Sequence, residues 1–278
     1  MSVQWTFPET VDEALTARSD SEDAVVVAGG TFVGVLLSSG LLSPERVVAL
    51  SRVGALRDIN VDEELVLGAL ATHTEVSRHG DVRSRWPALA RAFAVVASSR
   101  IRNQATVGGV LGDADYASDP PAMLVALDAT VWLQSLRRGL RGIPAEDFIL
   151  GHYSTAMDED ELITHVSVPS RWSASSYWKF RTRSSEDRPC AGVAVAAVVR
   201  DNQVVDVRVA VGAVSDRPVY YGDLCREARG RSVDDAARFL ADGYRERVDP
   251  ISDQRASSEY RRQVLSVGIR RGLEELSK

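Results

Sequence analysis

Two glycine pairs carry the chemistry this sequence could do. One lies in Ala28-Gly29-Gly30-Thr31-Phe32, the other in Thr106-Val107-Gly108-Gly109-Val110. Without a Cβ, glycine lets backbone N–H groups approach a ligand closely, and a helix start adds partial positive charge. Several N–H donors aimed at one anion would cradle a pyrophosphate without any lysine. Each such bond to a charged group contributes about 1.5 to 3 kcal/mol. Neither loop has the GxGxxG or GxxxxGKS spacing, so an ordinary Rossmann site or P-loop is excluded. A lone glycine pair is more often a plain tight turn than a ligand cradle.

Other chemistries find little support. His73, His79, His152 and His165 have no paired ligand spacing, and the two cysteines, Cys190 and Cys225, cannot complete a zinc or iron–sulfur ligand set. No metal site and no catalytic side chain is expected. Cys190 reads as a small buried residue at a strand start. The chain of 278 residues carries a formal net charge of −6 without a Lys/Arg run, which argues against nucleic acid and against a broad positive field for an anionic ligand. No apolar run approaches the roughly 18 to 20 residues of a membrane span, and the start MSVQWTFPET lacks signal-peptide character. A reduced, cytoplasmic protein is expected.

The elements that must position the loops follow from local pattern. The apolar run 24–28 (AVVVA) predicts a strand leading into the first glycine pair, and FVGVLLSS predicts a short helix after it, with a further strand at 46–50. Thr10 reads as an N-cap, and Thr72 with Glu75 as a capping box. A hairpin flanks Asp62-Glu63-Glu64, and a helix is expected over 87–97. The stretch SSRIRNQATVGGVLGDADYASDPP reads as one long functional loop. Beyond it come a helix over 121–127, strands over 130–135 and 161–168, a polar linker over 170–176, strands over 191–199 and 204–211, and helices over 233–244 and 257–276.

Taken together, AGGT, LGALATHTEV, IRNQATVGGVLGDADYASD, PAMLVALDA, ELITHVSVP and YWKF resemble the flavoprotein subunits of the xanthine dehydrogenase and carbon monoxide dehydrogenase family, over nearly the whole chain. The resemblance implies an α+β fold: an FAD-binding domain of the PCMH type over 1–170, split into subdomains of about 1–53 and 54–170, then an α+β flavoprotein C-terminal domain over 174–278. It implies FAD gripped by Val27, Ala28, Gly29, Gly30, Thr31, Phe32 and Val33 from one side. Thr106, Val107, Gly108, Gly109 and Val110 would grip it from the other, both glycine pairs turning N–H groups to one pyrophosphate. Asp119 corresponds to a family aspartate that bonds the cofactor or clamps the loop; an N-cap before Pro120-Pro121 is the other reading. Ile163 matches an apolar residue packing on the cofactor, or ordinary strand core. Lys179 matches a lysine near the flavin; read by itself it is a solvated lysine.

Several positions depart from the family pattern. Val110 replaces a usual asparagine, Phe32-Val33-Gly34 replaces Asp-Leu-Leu, Tyr116 replaces a frequent proline, and Arg188 stands where many members have an aromatic. The implied function is electron transfer within a molybdenum hydroxylase, with a molybdopterin-binding large subunit and a 2Fe–2S small subunit as partners, in a heterohexamer built as a dimer of heterotrimers. A self-contained flavin oxidase and a flavin-free structural subunit are the alternatives.

Overall fold

The computed structural model describes residues 3–277. Three units follow one another along the chain. In the first, β1 (Gln4–Thr6), β2 (Ala24–Val27) and β3 (Arg46–Ala49) form a parallel sheet in the order β1-β3-β2. Thr10 caps the helix Val11–Ser19 by accepting from the Glu13 N–H at 3.1 Å. That helix buries Ala14 and Leu15 in a small core with Val48 and Leu50.

The second unit is an antiparallel sheet of β4 (Ile59–Val61), β5 (Glu64–Gly68), β6 (Thr130–Ser135), β7 (Gly139–Pro144) and β10 (Leu162–Pro169), in the order β4-β5-β10-β6-β7. A small hairpin, β8 (Ile149–Gly151) and β9 (Ser154–Thr155), precedes β10. The capping box of Thr72 and Glu75 is formed at the start of the helix His73–Arg78. The expected long loop is not one loop. It contains the helices Ser99–Arg102 and Val107–Asp113, each capped by the hydroxyl of the preceding residue, Ser98 and Thr106. Short helices of this kind lack the hydrophobic period that marks longer ones, so the pattern concealed them.

The third unit is the sheet β11 (Ala174–Phe180), β12 (Ala191–Arg200), β13 (Gln203–Gly212) and β14 (Val219–Tyr220), in sequence order. Its two faces divide by residue size. Val193, Val195, Val209 and Val211 pack with the helices Val233–Arg247 and Ser258–Glu274. Ala194, Ala196 and Ala210 join the core of the second unit, where all seven residues of the helix Pro120–Ala126 are buried. Alanine on that face allows close approach: a Cβ on Gly212 would lie 3.1 Å from the Cβ of Ala122. Covering on both faces is why these strands read as continuous apolar runs. The linker is shorter than 170–176, because Ala174 already belongs to β11 and Trp172 is buried, donating its indole N–H to the Leu127 carbonyl at 2.9 Å.

Candidate cofactor site

The first glycine loop leaves the buried end of β2 at Val27 and enters the helix Val33–Ser38. Gly30 has φ +70°, a left-handed conformation that side chains disfavour. Among the described residues, no hydrogen bond is donated by the N–H groups of Gly29, Gly30, Thr31, Phe32 or Val33, whereas Gly34 donates to Gly30 O at 2.9 Å. A run of unspent N–H groups through a left-handed turn is an anion-binding concavity. Phe32 closes one side of the loop by stacking on Tyr153, with ring centroids 5.7 Å apart.

The second loop lies against the first. A Cβ on Gly29 would sit 1.8 Å from the carbonyl oxygen of Gln104, so glycine is the residue that fits there. Yet the second loop's own donors are spent. Val107 N–H goes to Ala71 O at 3.0 Å, Gly108 N–H to Ala69 O at 2.8 Å, and Val110 N–H to Thr106 O at 3.0 Å. Gly109 N–H is taken by the Thr106 hydroxyl at 3.0 Å. The first loop therefore leaves its N–H groups open to a ligand, and the second, expected to offer its own, does not. The reason is the helix Val107–Asp113, whose first-turn donors are met by Thr106 and by the chain at 69–71. Gly108 serves packing, since a Cβ there would lie 2.8 Å from that of Ala69. Thr106 Oγ keeps its own proton to donate.

Asp119 and Lys179 come together, both buried, with Nζ 2.9 Å from the carboxylate. Tyr177 donates to the same carboxylate at 2.8 Å, and Lys179 also donates to the Val95 carbonyl at 2.8 Å. Asp119 stands at the N-cap position of the helix Pro120–Ala126 but makes no capping bond, and Lys179 is not solvated. Both of those alternative readings fail, because the third unit's sheet is laid over this helix through β12 and β13, and β11 beside them brings its lysine to the aspartate. Burial pushes the Asp119 carboxyl up to about 6, against the pull of Lys179. The pair clamps the second and third units at the level of the second loop. Ile163 is 8 % exposed and faces the same helix as the second loop, its Cδ1 3.7 Å from where a Cβ on Gly112 would stand.

Asp113 was not singled out by its sequence context. One of its carboxylate oxygens is buried without a partner among the described residues. Burial and the neighbouring Asp115 push it up to about 7, opposed by Arg188. Arg188, the departure from a family aromatic, is turned onto the buried Asp115. Tyr116, the departure from proline, stacks on His152 at 4.3 Å and donates to Asp253 at 2.6 Å, tying this segment to the third unit. Gln104 and Tyr153 were also missed; their roles rest on contacts between distant segments, for which the sequence offers no signal.

These residues fit a dinucleotide. The first loop offers unspent donors, the glycine contact with Gln104 joins the two loops, and Asp113, at the far end of the helix that starts in the second loop, presents an unsatisfied buried oxygen. Among the described residues no cluster of His, Cys, Asp and Glu could hold a metal ion, and no helix is long and apolar enough to cross a membrane.

Known proteins agree with this geometry. Residues 1–171 match the family described as the FAD binding domain in molybdopterin dehydrogenase, and residues 176–276 match the CO dehydrogenase flavoprotein C-terminal domain. The chain is 32% identical over 276 residues to the nicotine 6-hydroxylase medium subunit of Paenarthrobacter nicotinovorans, covering 99% of this chain and 97% of that one. It is 30% identical over 271 residues to the glyceraldehyde dehydrogenase medium chain of Sulfolobus acidocaldarius, covering 97% and 96%. Carbon monoxide dehydrogenase from Hydrogenophaga pseudoflava superposes with a TM-score of 0.93 at 26% identity, covering 100% of this chain and 98% of that one. The chain belongs to the FAD-binding medium subunits of the molybdopterin dehydrogenase family, components of oxidoreductase complexes.

Proposed function

We propose that this chain relays electrons within a molybdenum hydroxylase. They would pass from a molybdopterin-binding large subunit, through a 2Fe–2S small subunit, to FAD held here, and on to an external acceptor. The observation that carries the reading is the run of free N–H groups from Gly29 to Val33, packed by Gly29 onto the second loop. When bound, FAD supplies the redox chemistry, and the protein supplies position and environment. Val27 through Val33 would hold the pyrophosphate by backbone donors. Thr106 would add a hydroxyl, while Val107, Gly108, Gly109 and Val110 would form a close-packed wall rather than a second set of donors. Ile163 would pack on the cofactor. Asp119 and Lys179 would hold the wall in place from behind.

Support for partner subunits comes from relatives that are themselves medium chains or medium subunits. A heterohexamer, a dimer of such heterotrimers, is the proposed assembly. A reducing, cytoplasmic setting is compatible with Cys190 and Cys225, which are buried and unpaired.

The test is purification of the native protein under mild conditions. It should be yellow, release its flavin on acid precipitation, and co-purify with two other subunits. The separated chain should keep its flavin yet show no substrate-dependent flavin bleaching. A colourless native preparation, or bleaching of the single chain by substrate without partners, would overturn the relay.

A further inference from the structure

A groove of about 560 Å³ runs over the helices His73–Arg78, Pro87–Ala94 and Ser99–Arg102. Arg78, Arg83, Arg91 and Arg102 line it, with small polar and apolar residues between them and no carboxylate. The chain as a whole has more acidic than basic residues, 39 against 33. Most arginines elsewhere answer to a carboxylate, as Arg171 and Arg208 each do with two and Arg138 with three. The side chains of Arg78 and Arg83 make neither an ion pair nor a hydrogen bond among the described residues. Arg91 lies over Trp178 with 5.8 Å to the ring centroid. Like charges gathered without compensation repel one another, and a complementary surface relieves that repulsion.

The place of the groove matters as much as its sign. Arg102 donates to the carbonyls of Val96 and Ala97 at 2.8 and 2.6 Å, holding the left-handed Ala97. From Arg102 the chain runs directly to Gln104, the residue that touches Gly29. The groove is thereby linked, through two residues of chain, to the contact between the two glycine loops.

We infer that this arginine groove docks an acidic face of a partner subunit of the complex. The inference deepens the proposed relay and rests on it. A protein surface suits the site better than a small anion. Arg78, Arg83 and Arg91 are exposed and come from different turns, so water screens each of them from a single small anion, whereas a surface carrying several carboxylates can meet them all. Arginine is enriched at protein interfaces, where complementary charge sets the association rate and its salt dependence.

The test uses the flavin-loaded chain and its co-purified partner subunits, recombined after separation. The double variant Arg78→Glu with Arg83→Glu should fold and hold flavin as the parent does, but associate at least about tenfold more slowly. Raising salt from about 0.05 to about 0.3 M should slow the parent more than the variant. Arg200→Glu, an exposed reversal in the third unit, should associate like the parent. If the double reversal fails to fold, Arg78→Gln with Arg83→Gln gives the same comparison at smaller amplitude. Unchanged association of either folded pair overturns the inference and leaves the relay standing. So does unchanged assembly where inorganic phosphate raises the melting temperature of the parent and not of the variant, which marks a small-anion site. A parent chain that recombines with no subunit removes both the relay and the docking surface.

Discussion

The two glycine loops look alike in sequence and do opposite things with their backbone. In the first, five consecutive N–H groups from Gly29 to Val33 are unspent, and the turn depends on Gly30 at φ +70°. In the second, every N–H from Val107 to Val110 is bonded within the chain, and neither Gly108 nor Gly109 has a positive φ. One loop is a donor array; the other is a wall. The difference teaches that a glycine pair signals closeness of approach, while the fate of its N–H groups depends on what surrounds it. Here Thr106 and the strand end at Ala69–Ala71 consume the donors that the second loop would otherwise offer.

Substitutions can break this contrast. The largest effect should come from Gly29→Ala, because its Cβ would fall 1.8 Å from a backbone oxygen that cannot rotate away. The loops must separate, at about 3 kcal/mol or more in stability, and the purified protein should be free of flavin. Retained flavin, measured per chain alongside circular dichroism, would mean that the loops need not touch. Gly30→Ala meets nothing closer than Val27 Cγ1 at 3.6 Å, so it suffers conformational strain only. About 1 to 2 kcal/mol is expected, read as roughly a tenfold rise in the flavin dissociation constant. An unchanged constant in a fluorescence titration would show that the left-handed turn is not held in the bound form.

The wall should respond to pH where the donor array does not. Asp113 ends the second loop's helix with its carboxyl pushed up to about 7 by burial. A group protonated more readily in the folded than in the unfolded state binds extra protons when folded. Its stabilising contribution is therefore complete below the unfolded value, near 4, and is lost as pH rises through about 7. Because Asp113 is only partly buried, solvent screening holds the loss to about 1 to 2 kcal/mol. Urea unfolding of apoprotein at pH 5 and pH 8 should show this fall in the parent and not in Asp113→Asn. Equal slopes in the two proteins would place the carboxyl in an ordinary environment.

Thr106→Val should have the smallest effect on flavin. It removes the cap on Gly109 N–H and costs about 1 kcal/mol of stability. Flavin affinity should change by less than about threefold if the hydroxyl acts chiefly on its own helix. A loss of tenfold or more would give the Thr106 hydroxyl a larger share in holding the cofactor than in capping Gly109, and the contrast between donor array and wall would have to be redrawn.

Local rules identified much of the frame. Caps at Thr10 and Thr72, the β2 run into the first glycine pair, and the long strands around Asp201-Asn202 were all legible, since each depends on neighbours within a few residues. The short edge strands β1 and β7 and the helix Gly222–Glu227 were not, because they are held by pairing and packing rather than by periodicity. Within the candidate site, the glycine pairs announced themselves by type. Asp113, Tyr153 and the Gln104 carbonyl did not, since nothing in their local sequence distinguishes them from ordinary turn residues.

By itself, then, the order of residues determined which segments could bend closely around an anion and which strands had to be covered on both faces, because steric freedom and side-chain polarity belong to each residue. Only the tertiary structure decided that Lys179 would be buried against Asp119, that Gly29 would meet Gln104, and that one glycine loop would spend its donors while the other kept them. The first two outcomes depend on partners 60 or more positions away and the third on Ala69 and Ala71, 36 or more positions before the N–H groups they bind, and a hydrogen bond or an ion pair exists only once the chain has folded far enough to bring such partners within reach.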